Sequence, residues 1–314
     1  MHTWLTEQFE IRVPVIGAPM AGPGEGGLAA AVSAGGGLGM VGVNSNRSAS
    51  WVGQQAEIAG AAGHRFGIGL MAWALAAKPE QLDAAVASAA SLVSVSFGDF
   101  APHVRHLNDA GIKVTTQVGN LEEALTAERC GVDFLVVRGA EGGGHGRNEV
   151  GTLPLLQTVL DEVSVPVVAA GGIANARGLA AVLAAGAAGA WVGTAFLGCR
   201  EAGNSARARE RLFSAAETGT AYGAVFDVAQ RLDWPAEYGG RALRNRYFDH
   251  WHDRLADLAQ DQEAIDQLED ARANEDYEIA HLYAGQGVGL LDSARPAAEV
   301  LDEFATAEEL LRRF

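Results

Sequence analysis

The residues best suited to chemistry lie in one decapeptide, Arg138-Gly139-Ala140-Glu141-Gly142-Gly143-Gly144-His145-Gly146-Arg147. Its five glycines disfavour helix and strand and let the backbone run close against a flat or bulky group. One imidazole sits among them, and near neutral pH an imidazole can take up a proton or donate a hydrogen bond. The apolar run Phe134 to Val137 leads into the loop and reads as a buried strand. His145 is therefore the candidate catalytic residue, and Gly144 beside it leaves room for a cofactor. The competing reading is a surface turn with an incidental histidine, and the loop's place in the chain decides between them.

Two more glycine turns follow apolar runs, Ala170-Gly171-Gly172 and Val192-Gly193-Thr194. Glycine removes the Cβ that would keep a phosphate away from backbone N–H groups, and Thr194 adds a hydroxyl. Ala18-Pro19-Met20 ends another apolar run. Its proline fixes the backbone, and its methionine offers a polarisable side chain to a flat ring. Gln117, polar at the end of an apolar run, can bond the edge of a heterocycle. Each feature alone also fits an ordinary turn or a core-lining side chain. The scattered histidines lack a two-histidine helix pattern, so no metal site is expected. His250 and His252 read as solvated helix residues.

The elements that must position these residues alternate regularly. Apolar runs at 13–17, 38–43, 66–71, 92–96, 113–117, 134–137, 166–170 and 190–192 read as strands. Helices are expected at 26–33, 49–62, 79–90, 102–110, 121–129, 153–162 and 176–185, with Asn120 and Asn175 as caps and Gly111, Gly131 and Gly186 as stops. Short apolar strands suit a parallel sheet covered on both faces. Eight such units argue for an α/β fold, a (β/α)8 TIM barrel, whose working face is the C-terminal end of the strands. The candidate residues all fall at that end, and the turns after the seventh and eighth strands are where barrels commonly bind phosphate.

After Glu201 the composition becomes charged and helical in pattern, at 205–216 and 246–284. The expected organisation is a barrel of residues 1–204 and 284–314 with an inserted helical lobe, 205–283, serving as a substrate or lid lobe after strand 8. A closing helix is expected from Pro296 to Phe314.

The chain has 314 residues and a net charge of −16, which disfavours nucleic acid and anionic membranes as partners. The two cysteines, Cys130 and Cys199, stand in unrelated contexts, and no apolar run reaches the ~18 residues of a membrane span. With no signal-peptide pattern at its start, a cytoplasmic location is expected.

Together the motifs resemble the nitronate monooxygenases, once called 2-nitropropane dioxygenases. The resemblance rests on Pro14-Val15-Ile16-Gly17-Ala18-Pro19-Met20, Gly139 to Gly146, Ala169-Ala170-Gly171-Gly172-Ile173, Gly193-Thr194-Ala195-Phe196 and Ala284-Gly285-Gln286, in that order. It implies a TIM barrel holding FMN, with flavin-ring contacts at Ala18, Pro19 and Met20. It implies phosphate contacts at Gly171, Gly172, Gly193 and Thr194, and His145 as the active-site imidazole. The implied reaction is oxidative denitrification of a nitronate or nitroalkane to a carbonyl compound and nitrite, using O2. The chain departs from the family pattern at three positions. Arg138 stands for the usual glutamine, Gly142 for alanine, and Gly69 for a flavin-binding asparagine. Two other readings stay open at this point: an FMN-dependent NAD(P)H reductase of a quinone or enoyl thioester, and a non-redox barrel acting on a phosphorylated sugar. Assembly into a homo-oligomer is also open.

Overall fold

A computed structural model describes residues 1–313. Eight parallel strands alternate with helices: β1 (Val15–Gly17), β2 (Gly39–Gly42), β3 (Phe66–Met71), β4 (Leu92–Ser96), β5 (Lys113–Val118), β6 (Phe134–Arg138), then, beyond the two-residue strand β7 (Gly144–His145), β8 (Val167–Ala170) and β9 (Gly189–Val192). The sheet order is β1-β9-β8-β6-β5-β4-β3-β2. An isolated parallel bridge between Ile16 and Leu38 joins β1 to β2, with Gly17 N donating to Leu38 O at 2.9 Å, and the barrel closes. The expected TIM barrel is present. The Asn120 and Asn175 side chains cap the helices Leu121–Arg129 and Ala176–Ala184 as expected.

Strand register divides the interior into two halves. Leu92 pairs with Lys113, Ser94 with Thr115, Thr115 with Phe134, Gln117 with Val136, and Arg138 with Ala170. Paired residues of parallel strands share a face, so Leu92, Ser94 and Ser96 lie on one face with Gln117, Phe134 and Arg138. The lower half is apolar. A short helix not read from the sequence, Trp4–Phe9, places Leu5 and Phe9 in one cluster with Leu92, Phe134 and Trp191. Thr3 and Thr6 form its capping box, and Trp4 meets Phe134 at 5.5 Å between ring centroids. The upper half is polar. The hydroxyls of Ser94 and Ser96 lie 3.1 Å apart, and the latter accepts the Gln117 N–H. A core that is dry below and polar above suits a ligand site at the C-terminal mouth.

The segment expected to be a helical lobe is helix-rich, but it also contains strands. β10 (Thr220–Gly223) and β11 (Gly240–Leu243) form an antiparallel pair, and β7 joins β11 as a third strand. The long helical pattern from 246 resolves into Arg246–Trp251, Leu255–Leu258 and Gln262–Ala273, after which Tyr283 bridges to Ala242. Aromatic side chains form this segment's own core, among them Phe226, Tyr247, Phe248 and Trp251. The closing segment is two helices, Ala297–Ala305 and Ala307–Leu311, and Phe314 lies outside the described residues.

His281 packs against Tyr283, and its Nδ1 is buried with no partner among the described residues. Burial pushes this imidazole down to about 3, with Arg272 and His145 adding to the effect. An unfolded chain protonates the ring near ~6.5, so below that pH the unfolded state holds the extra proton. The neutral ring's contribution to stability is complete above ~6.5 and is lost as pH falls, by about 1.4 kcal/mol per pH unit. His281→Phe should therefore flatten the fall of unfolding free energy between about pH 6 and pH 4 by roughly that slope. Urea titrations across the range measure it, and an unchanged slope would show that the ring is not excluded from protonation.

Candidate active site

The Gly-His loop is folded around a cation. Arg138 ends β6, and its guanidinium is almost wholly buried. Nη2 donates to the carbonyls of Gly142 at 2.7 Å, Gly143 at 3.2 Å and Gly144 at 2.9 Å, while Nη1 donates to Arg147 O at 3.1 Å. Burial pulls the group down to about 10, which still leaves it charged at neutral pH. Arg241 on β11 grips the same loop from the other side, donating to Ala140 O at 2.9 Å and to Asn148 Oδ1 at 2.7 Å. Glu141 accepts from the Thr152 N–H and hydroxyl, tying the loop to the helix Thr152–Glu162. At Gly143 a Cβ would collide with the backbone of Ala284 and Gly285. The run Ala284-Gly285-Gln286 thus lies backbone to backbone on the loop, and Gln286 N donates to Glu141 O at 2.9 Å.

This folding presents His145 at the mouth as an edge strand of the small sheet, opposite Gly240. The Nε2 atom lies 2.8 Å from Asp227 Oδ1, and both side chains are largely buried, at 10% and 6% exposure. Trp234 covers the imidazole face to face, 3.6 Å between centroids and 1° between planes. Trp73 and Phe97 each meet Trp234 at 5.2 Å, and Tyr238 meets Phe97 at 5.6 Å. The Trp73 Nε1 is buried without an acceptor, an orphaned donor in this aromatic wall. A cavity of about 260 Å³ adjoins the wall, lined by Phe97, Phe100, Thr116, Gln117, Arg147 and Tyr238 among others. Beside it, Arg147 donates to Glu123 at 2.6 Å and to Glu149 at 3.0 Å. Partial burial opposes its charge, but these bonds outweigh it and hold the guanidinium above its ordinary range.

The remaining expected residues surround the same mouth. Gly171 and Gly172 adopt φ of 110° and 71°, the left-handed region that favours glycine. A Cβ on Gly193 would meet only Ala18 Cβ and Met20 Sδ, both at 3.5 Å, so those three residues share one wall. The Thr194 hydroxyl accepts from Gly285 N at 3.0 Å and keeps its own proton to donate. Gly144, next to His145, has φ of 67°. The departure at Gly69 has a steric cause, because a Cβ there would run into the Pro19 ring. Pro19 therefore fills the space over β3 in which the family asparagine is expected. Left-handed glycine backbone after β8, an open glycine after β9 and a free hydroxyl proton fit a phosphate.

Asp227, Trp234, Tyr283 and Trp73 were not assigned from the sequence. Asp227 had a signal, a carboxylate inside the apolar run Val225-Phe226-Asp227-Val228 on the helix Val225–Ala229. Burial there costs too much without a partner. The aromatic residues had none, since their role depends on the lobe meeting the barrel.

A (β/α)8 barrel with an imidazole and glycine-rich turns at its mouth defines the class as a TIM-barrel protein with its site at the C-terminal ends of the strands. A family model described as nitronate monooxygenase matches residues 70–306. The chain belongs to the nitronate monooxygenase family, of which flavin use is characteristic. It is 34% identical over 334 aligned residues to nitronate monooxygenase npaC of Metarhizium robertsii, covering 92% of this chain and 89% of that one. A probable nitronate monooxygenase of Staphylococcus aureus (strain MRSA252) is 30% identical, covering 63% of this chain and only 57% of the relative. Among solved structures, nitroalkane oxidase from Streptomyces ansochromogenes superposes with a TM-score of 0.83 at 27% identity, over 98% and 99% of the two chains. FabK from Thermotoga maritima superposes at 0.86 and 26%, over 100% and 98%. Among the described residues, no helix is long and apolar enough to cross a membrane.

Arg138→Met removes the charged donor to four loop carbonyls. The expected result is a stability loss on the order of 2–4 kcal/mol, since bonds from a charged donor are worth more than neutral ones. Proteolytic nicking between 139 and 147 should accompany it. Denaturant unfolding and limited proteolysis with subtilisin, which does not need a basic residue, test this, and an intact loop at wild-type stability would remove Arg138 from its supporting role.

Proposed function

We propose that the chain is an FMN-dependent nitronate monooxygenase, with the barrel of residues 1–204 and 284–314 holding the cofactor and residues 205–283 walling the substrate site. The observation that carries this reading is His145, held at the barrel mouth between the two glycine turns and an aromatic wall. Gly171, Gly172, Gly193 and Thr194 would hold the phosphate. Ala18, Pro19, Met20, Gln117 and Gly144 would line the ring. When bound, FMN would supply the redox chemistry by which a nitronate and O2 give a carbonyl compound and nitrite.

The chain's own residues bind and orient. His145 removes the α-proton of a neutral nitroalkane, or hydrogen-bonds the nitro group of a substrate that arrives ionised. Trp73 offers its indole N–H to a nitro oxygen. Trp234 and Phe97 exclude water from the reacting carbon. A second reading, an FMN-dependent NAD(P)H reductase, draws support from the scaffold shared with FabK. Anaerobic mixing with NADH and NADPH separates the two, because rapid flavin bleaching belongs to the reductase.

The purified protein should be yellow and release FMN on heating, identified by chromatography. FAD alone, or a colourless protein, contradicts the reading, and the colourless outcome favours a non-redox barrel. Gly193→Ala is a cleaner probe of the phosphate turns than substitution at Gly171, whose φ already strains any side chain. It should keep the wild-type melting temperature while weakening FMN binding at least about tenfold, the worth of roughly one hydrogen bond. Wild-type affinity would place the phosphate elsewhere.

His145→Asn should leave FMN bound. Turnover of a neutral nitroalkane should fall ~10²–10⁴-fold, the usual loss with a general base. Turnover of the preformed nitronate should fall less, because that proton has already left. Nitrite release from each substrate measures both, and equal losses would assign His145 to positioning alone.

A further inference from the structure

We propose that Asp227 is the positioning residue that makes Nδ1, and not Nε2, the proton-accepting atom of His145. The proposal rests on the nitronate reading for its chemistry, but its structural part stands without it. Asp227 Oδ1 lies 2.8 Å from Nε2. A carboxylate can only accept, so the proton between them belongs to Nε2. A neutral imidazole carries one proton, and the lone pair is then on Nδ1. That atom makes no protein hydrogen bond and, unlike the ring nitrogen of His281, is not sealed from solvent.

The surroundings hold this state. The Tyr283 hydroxyl donates to the same Asp227 oxygen at 3.4 Å. Burial, and then the charge of Asp227, keep Tyr283 well above the ordinary phenol range, so it remains a donor. Trp234 fixes the ring plane, and pairing of His145 with Gly240 fixes the backbone. When Nδ1 takes the α-proton, the ring becomes an imidazolium against a buried carboxylate, which offsets the new charge. The C–H bond breaks, its electron pair stays on the substrate as the nitronate, and the proton rests on Nδ1. Asp227 accepts from Nε2 in both states of the ring, as the carboxylate partner of a catalytic histidine does elsewhere.

All three supports come from beyond residue 220. The barrel therefore supplies the base, and the inserted segment decides which of its two nitrogens reacts.

The test uses the full-length protein labelled with 15N-histidine. Long-range proton–nitrogen correlation at alkaline pH reports the neutral tautomer of each ring, and His145→Asn identifies the signal. The expected signature is a protonated Nε2 with a bare Nδ1. A protonated Nδ1 overturns the proposal. In Asp227→Asn the Nε2–H preference should be lost. Turnover of neutral nitroethane should drop by about 10²-fold or more, with KM little changed and the preformed nitronate affected several-fold at most. Unchanged tautomer and turnover, or equal losses on both substrates with the tautomer intact, would make Asp227 a packing residue. If Asp227→Asn fails to fold, Tyr283→Phe removes one donor from the same oxygen while keeping the ring that packs 5.2 Å from the imidazole. It should move the tautomer signal and the nitroethane rate in the same direction, and no movement of either counts against the proposal. A wild-type protein inert to both substrates would refute the nitronate reading, while the spectrum still decides the tautomer.

Discussion

One buried cation organises the mouth of this barrel. Among the described residues the Arg138 guanidinium has no carboxylate partner, and its charge is met by carbonyls of the loop that follows it. Taking such a charge out of water is tolerable only when its donors are satisfied. The glycines make that satisfaction possible, because successive carbonyls can turn inward only where the backbone is free to bend. The loop's shape, the approach of Gly285 to Gly143 and the presentation of His145 all follow from this arrangement. A glutamine, the usual residue at this position in the family, brings two donors, and the guanidinium brings five.

The second constraint comes from the opposite side. Arg241, Asp227, Trp234 and Tyr283 contact the loop or its histidine from the inserted segment. Tyr222 adds a bond from its hydroxyl to Gly146 O at 2.8 Å. A short peptide is thus held by the barrel through one arginine and by the insertion through another. The imidazole sits where the two holds meet, and its freedom is reduced to one exposed edge.

The barrel was legible in the sequence because its signals are local. Apolar runs of strand length, asparagine caps and glycine stops each report on a few neighbouring residues, and the cap positions agreed residue for residue. The glycine turns were legible for the same reason, since a left-handed backbone declares itself by residue type. What stayed hidden depends on distant pairing. Gly144 and His145 read as loop because two residues carry no strand pattern, and only β11, nearly a hundred residues later, makes them a strand. The helix Trp4–Phe9 was missed because its apolar face is explained only by the barrel floor it plugs. The continuous charged pattern after 246 concealed breaks at 252 and 259, where short helices turn to wrap an aromatic core. Gly69 was visible as a departure, but its collision partner, Pro19, is fifty residues away.

The two-sided grip on the loop also bears on traffic through the mouth. Because β7 is stitched to β11 while Arg138 holds the preceding carbonyls, the insertion cannot lift away without tearing the histidine from one of its two anchors. What stays open beside the loop is the flank where Phe97, Phe100 and Tyr238 border the adjoining cavity.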